Sequence, residues 1–86
     1  MDNAIKWCNK ARKQLKKLPR QYQLLIVDAV EILGNSPAEW RNVVELKNHD
    51  YGYRLRVGRY RVLFDFYAEI KIVEIEEVRK RDERTY

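Results

Sequence analysis

Tyr53-Arg54-Leu55-Arg56-Val57-Gly58-Arg59-Tyr60-Arg61-Val62-Leu63-Phe64 is the stretch on which the fold turns. Apolar and polar residues alternate on both sides of Gly58-Arg59, and β-branched or aromatic residues fill the apolar slots, the pattern of a half-buried β-hairpin. Glycine at the first central position suits a two-residue type II′ turn. That turn sets the register: Val57 faces Tyr60, Arg56 faces Arg61, Leu55 faces Val62 and Arg54 faces Leu63. Because side chains alternate with a period of two, Leu55, Val57, Val62 and Phe64 share one face, and Arg54, Arg56 and Arg61 share the other. Like charges across a strand pair repel and weaken it. Three guanidinium groups on one face are thus explained if an anion belongs there, and the expectation is a phosphate-binding surface. The alternative is a row of solvated strand residues.

Outward from the hairpin, Asp65-Phe66-Tyr67 continues the second arm and Ala68-Glu69 makes a turn. Ile70 to Val78 reads as a further, more continuously apolar strand. Toward the N-terminus, residues 38–52 read as a connector in which Trp40, Val43, Val44 and Leu46 reach the core, and Lys47-Asn48-His49-Asp50 is an exposed turn. Tyr22, Leu25, Ile26, Ala29, Val30 and Leu33 recur at helical spacing as one wide apolar stripe. Pro19 opens that helix, and Gly34-Asn35 closes it before Ser36-Pro37. An earlier, basic helix is capped by Asn9 and carries Trp7, Ala11, Leu15 and Leu18 on its inner face. Ala4 to Trp7 is apolar enough for an opening strand or a helix start. The expected architecture is α+β over one domain, residues 1–86: a short N-terminal strand, an antiparallel helical pair, then a three-strand antiparallel meander. The helices cover the Leu55/Val57/Val62/Phe64 face and leave the arginine face open.

The 86 residues leave no room for a second core, and 45% hydrophobic content is enough to build one without staples. Cys8 is the single cysteine, so no intrachain disulfide forms, and its neighbour Trp7 marks it as a buried structural thiol. No apolar run is long enough to cross a bilayer and no signal-peptide block opens the chain, which points to the cytoplasm and away from a membrane partner. The net charge is +5, and it is segregated: the first twenty residues hold seven Lys/Arg against one acid. The hairpin and Arg79-Lys80-Arg81 with Arg84 form two more basic clusters. Such segregation points to nucleic acid or an acidic protein partner.

One histidine, His49, and one serine, Ser36, exclude a two-histidine acid–base pair and give no nucleophile–histidine arrangement. There is no Gly-rich phosphate loop, HExxH pattern or carboxylate cluster at metal-ligand spacing, and no cofactor is expected. Arginine, lysine and tyrosine remain. They suffice for RNA cleavage in which the 2′-hydroxyl attacks the adjacent phosphate while fixed guanidinium forks stabilise the charge on its non-bridging oxygens.

The hairpin together with Arg79-Lys80-Arg81-Asp82-Glu83-Arg84-Thr85-Tyr86 resembles the RelE branch of the RelE/ParE toxin superfamily. Lys10-Ala11-Arg12-Lys13-Gln14-Leu15-Lys16-Lys17-Leu18-Pro19 and Val44-Glu45-Leu46-Lys47 extend the resemblance over nearly the whole chain. It implies the RelE-like microbial RNase fold and a metal-independent, ribosome-dependent mRNA endonuclease that cuts in the A site. The implied partners are a RelB-like antitoxin, the 70S ribosome and mRNA, with operator DNA a candidate partner of the toxin–antitoxin complex. By position, Arg61 and Arg81 match catalytic arginines, Tyr86 a C-terminal tyrosine that stacks on or orients the base, and Arg54 and Arg56 two basic positions of the first hairpin strand. Arg56 falls in the general-base slot. Arginine is a poor proton acceptor, with a pKa above about 12, so the base stays open between Tyr86, His49 and the ribosome. Lys10, Lys13, Lys17 and Lys47 are assigned to RNA backbone. Two competing readings are a ParE-like gyrase inhibitor and a non-enzymatic nucleic-acid-binding module.

Overall fold

The computed structural model describes residues 2–80. Strand β1 (Ala4–Trp7) leads into helix α1 (Asn9–Lys16) and helix α2 (Arg20–Glu31). Strands β2 (Val43–Glu45), β3 (Tyr53–Val57), β4 (Tyr60–Tyr67) and β5 (Ile72–Lys80) follow. They form a five-stranded sheet in the order β1-β5-β4-β3-β2, with β1 parallel to β5 and every other pair antiparallel. The mixed α+β architecture and the meander β3-β4-β5 are as expected. Two strand features were not legible in the residues. Val43–Glu45, assigned to the connector, pairs with Leu55–Tyr53 as an edge strand; three residues are too few to display an alternation. Val44 consequently faces away from the core and is 49% exposed. The parallel partner of β1 lies some seventy positions away, and nothing local announces it.

The hairpin register is the one expected. Tyr53 pairs with Phe64, Arg54 with Leu63, Leu55 with Val62, Arg56 with Arg61 and Val57 with Tyr60. Gly58 has φ 56°, while Arg59 keeps a negative φ, the signs a type II′ turn requires. Leu55, Val62 and Phe64 are buried beneath the helices with Ile26, Val30, Leu33, Val73 and Ile75. Trp40 packs edge-on against Tyr53, Phe64 and Phe66, closing the far end of the core. Tyr60 points inward, with its ring 5.5 Å from that of Tyr22. The apolar stripe of α2 is narrower than the spacing suggests: Ile26 and Val30 are buried, whereas Leu25 is 57% exposed.

Helix α1 serves as a cap on a sheet edge. β1 accompanies β5 only as far as Ile75, and beyond that point α1 takes over. Cys8, not Asn9, is the N-cap; its Sγ accepts from the Ala11 N–H at 3.5 Å and donates to the Glu76 carbonyl at 3.1 Å. Gln14 Oε1 accepts from the Val78 N–H at 2.7 Å. Backbone groups of β5 that β1 cannot reach are thereby satisfied by side chains. Cys8 is half-buried and structural.

A β-bulge lies opposite Leu63/Phe64. Leu63 pairs with Glu77 but Phe64 pairs with Ile75, so Glu76 is an extra residue on β5. The insertion shifts the alternation by one. Ile75 and Val78 both face the core, and Glu76, Glu77 and Arg79 all turn to the opposite face. There Glu76 meets Glu74 and Asp65, and burial together with these two carboxylates pushes its pKa from 4.5 up to about 7. Asp65 and the same two glutamates also raise Tyr67, and Lys6 lies opposite Glu74 on β1.

Two expected outcomes follow from these contacts. Gln14→Ala leaves the Val78 N–H unpartnered and lowers stability by about 1–3 kcal/mol, measured by urea denaturation, with faster amide exchange at Val78 itself. A carboxyl with a raised folded pKa contributes stability that is complete below its ordinary value and declines as pH climbs through the folded one. The melting temperature of the wild type therefore falls between pH 5 and pH 8, and Glu76→Gln, which stays neutral, falls less over the same interval.

Candidate nucleic-acid interface

The sheet face opposite the helices is divided by charge. At its lower end are Asp65, Glu74 and Glu76. At its upper end the register lines up Arg56 on β3, Arg61 on β4 and Arg79 on β5 as directly opposed cross-strand neighbours. Arg54 lies two residues from Arg56 on the same face, opposite Leu63. Directly paired residues point to the same side of a sheet, so the four guanidinium groups belong to one surface. With strands about 4.8 Å apart, the row from Arg56 to Arg79 spans roughly 10 Å at the backbone. Arg56 and Arg79 are exposed, and Arg54 and Arg61 are half-buried.

This face is uncovered by helices but not bare. The segment 46–52 between β2 and β3 folds back across it. Gly52 N–H donates to Asp65 Oδ1 at 2.7 Å, and the Tyr51 hydroxyl sits beside the Glu77 carboxylate, which drives the tyrosine pKa up to about 12. Leu63, on the outward face of β4, is only 3% exposed, and Glu77 only 5%. Lys47, Asn48, His49 and Asp50 are exposed, as expected of a turn. His49 Nδ1 accepts from the Tyr51 N–H at 3.2 Å. With Nδ1 accepting, the neutral ring carries its proton on Nε2.

Arg79 donates to Glu77 as a fork, Nε to Oε1 at 2.7 Å and Nη2 to Oε2 at 3.1 Å. That pairing, more than anything else, holds Glu77 down at about pKa 2, with Tyr51 and Lys10 adding to it. The same contact raises Arg79 above the usual arginine value. Lys10, assigned to RNA backbone from its place in a basic helix, has its Nζ 3.5 Å from Glu77 Oε2. It therefore spends at least one donor direction on the protein. Lys13 and Lys17 are exposed on α1 and at its C-cap, and Lys47 is exposed in the 46–52 segment. None of the three lies on the strands that carry the arginines. Arg81 and Tyr86 lie outside the described residues.

The residues alone place Arg79 only in a basic cluster and give no role to Glu77 or Tyr51. The signal that leads to them is the apolar spacing of β5. Val73 and Ile75 are two apart, but the next core residue, Val78, is three further on. A step of three in a strand marks a bulge, and counting through it turns Arg79 outward.

No helix among the described residues is long and apolar enough to cross a membrane. The family profile described as the ParE toxin of the type II toxin–antitoxin system parDE matches residues 5–85. Among curated proteins, none matches the chain. Of solved structures, a chain of the archaeal RelE–RelB complex from Pyrococcus horikoshii OT3 is similar with a TM-score of 0.80 and 25% identity, over 96% of this chain and 99% of that one. A chain of the RelBE2 toxin–antitoxin complex from Mycobacterium tuberculosis is similar with a TM-score of 0.79 and 25% identity, over 94% and 93%. A mutant of the E. coli toxin RelE in the free state reaches a TM-score of 0.69 at 22% identity, over 99% and 88%, a likeness of fold alone. With nearly its whole length matched and its sheet and helices arranged as in those toxins, the chain belongs to the RelE/ParE superfamily as a RelE-like toxin of a toxin–antitoxin system.

Proposed function

We propose that this toxin is a ribosome-dependent mRNA endonuclease that stops translation in the cytoplasm, and that a RelB-like antitoxin neutralises it. The carrying observation is the placement of Arg54, Arg56 and Arg61 on one helix-free face of the hairpin. Like charges on cross-strand neighbours repel and weaken the pairing, and a phosphate run bound there would relieve that repulsion. The antitoxin partner is supported by the RelE–RelB and RelBE2 complexes to which the chain is similar.

In the reaction, the 2′-oxygen of one ribose forms a bond to the adjacent phosphorus while the bond to the 5′-oxygen of the next nucleotide breaks. The products are a 2′,3′-cyclic phosphate and a 5′-hydroxyl, the departing 5′-oxygen taking up a proton from solvent or from the group that accepted it from the 2′-hydroxyl. Negative charge gathers on the non-bridging oxygens, where Arg61, and by the family resemblance Arg81, act as donors. Arg54 and Arg56 hold flanking phosphates, with Lys13, Lys17 and Lys47 on backbone further out. The 2′-hydroxyl proton needs an acceptor. A guanidinium is a poor proton acceptor and the Glu77 carboxylate raises the Tyr51 pKa to about 12, so the task falls to Tyr86, His49 or a group of the ribosome.

One alternative has its own support. The matching family profile is described by its ParE members, and a ParE-like gyrase inhibitor would use the same fold without cleaving RNA. The arginine face favours the nuclease. On induction of the wild type, transcripts are expected to be cut within translated codons, and Arg61→Ala should reduce cutting on the order of 100- to 1,000-fold, the scale of a lost oxyanion-type donor. Intact transcripts together with blocked supercoiling in a gyrase assay would transfer the assignment to the inhibitor. Ribosome association is expected to weaken as salt rises, with the slope of log affinity against log salt changing by about 0.7 for each RNA phosphate neutralised; a flat response would remove the arginine face from docking.

A further inference from the structure

Glu77 is a carboxylate that is 5% exposed on the outer face of a sheet. A buried charge at such a place needs partners: the fork of Arg79 and the ammonium of Lys10 lie within contact distance, and the hydroxyl of Tyr51 lies near enough to help lower its pKa. These come from β5, from the 46–52 segment and from α1, so the carboxylate is held from three sides. Arg79 is different. Its side chain is 53% exposed, and it stands directly opposite Arg61. Glu77 takes its Nε and one Nη2 proton, two of the five donors of a guanidinium. With those two donors tied to Glu77, three N–H groups remain for a ligand. A free arginine surrenders much of its rotamer freedom on binding a phosphate. One whose plane is already fixed surrenders less, the general advantage of preorganisation.

We propose that Arg79 is a further phosphate-contacting residue of the arginine surface and that Glu77 is its positioning residue, aligning the guanidinium with Arg61 and Arg56. The inference rests on the RNA-cleaving reading above. It extends the surface from two strands to three, adding a contact on β5 to the phosphate contacts of the hairpin. It also gives the bulge at Glu76 a role, since without that extra residue Arg79 would face the core.

A purely structural ion pair and a positioning pair predict different kinetics. Single-turnover and steady-state cleavage are measured on 70S ribosomes programmed with a defined mRNA, using the full chain and the variants Arg79→Ala, Arg79→Lys, Glu77→Gln, the double variant Glu77→Gln/Arg79→Ala, and Arg61→Ala as reference. Arg79→Ala should lower kcat about tenfold, the order of one charge-assisted hydrogen bond. Arg79→Lys should recover little, because an ammonium keeps the charge but lacks the fork. Glu77→Gln makes the surface more positive by one charge, so charge alone predicts tighter binding and unimpaired turnover. Positioning predicts an unchanged or lower KM with kcat down roughly threefold to tenfold. The double variant should be no slower than Arg79→Ala, since Glu77 acts through Arg79. The proposal is overturned if Arg79→Ala and Arg79→Lys cleave within about twofold of wild type while Arg61→Ala is inactive, or if the two losses multiply in the double variant. Should Glu77→Gln fail to fold, the exposed-site change Arg79→Lys decides by the same criterion. Full activity in Arg61→Ala would instead bring down the RNA-cleaving reading, and this inference with it.

Discussion

Backbone pairing between β4 and β5 changes phase by one residue at Glu76, and both faces of the sheet depend on that offset. Below it, Val73 and Ile75 face the helices. Above it, Val78 does so, and the odd positions Glu77 and Arg79 turn outward. An uninterrupted β5 would force a choice between burying Val78 and burying a glutamate and an arginine beneath two helices. Burial of an unpaired charge is far more costly than loss of one ladder position, so the bulge is the cheaper arrangement. It also places two carboxylates side by side, Glu76 and Glu77, whose environments push their pKa values in opposite directions.

The divergence of these neighbours illustrates how a face two residues wide can hold opposite electrostatics. Glu76 looks toward Asp65 and Glu74 and retains its proton more tightly. Glu77 looks toward Arg79 and Lys10 and gives its proton up readily. The boundary between them separates an acidic half of the face from an arginine half. An extended RNA strand laid across the whole face would meet repulsion at the acidic end. On the proposed RNA-cleaving reading, the charge division would confine a polyanion to the rows containing Arg54, Arg56, Arg61 and Arg79.

Attachment of α1 to the β5 edge connects this surface to the rest of the molecule. The thiol of Cys8 and the amide of Gln14 complete the hydrogen bonding of β5 where β1 ends, and Lys10 from the same helix touches Glu77. The basic helix, expected from its charge to dock on nucleic acid, is in part a brace for the strand that carries Arg79. Tyr51 supports the same carboxylate from the other side, by way of the 46–52 segment anchored at Asp65.

Much was legible in local pattern. The Gly58-Arg59 turn fixes a register, and the register alone places Arg54, Arg56 and Arg61 on one face, because alternation and a two-residue turn are short-range facts. The helices, their proline and glycine boundaries and the inward Tyr60 follow from the same kind of reasoning. Val43–Glu45 as a strand, the parallel pairing of β1, the cap at Cys8 and the exposure of Leu25 depend on which surfaces meet, and surfaces distant in the chain leave no local mark. Arg79 belongs to both classes: its charge stands in the sequence, but its direction was decided by a bulge. That bulge exists because the strand had to bury Ile75 and Val78 on one side of a sheet whose pleat repeats every two residues.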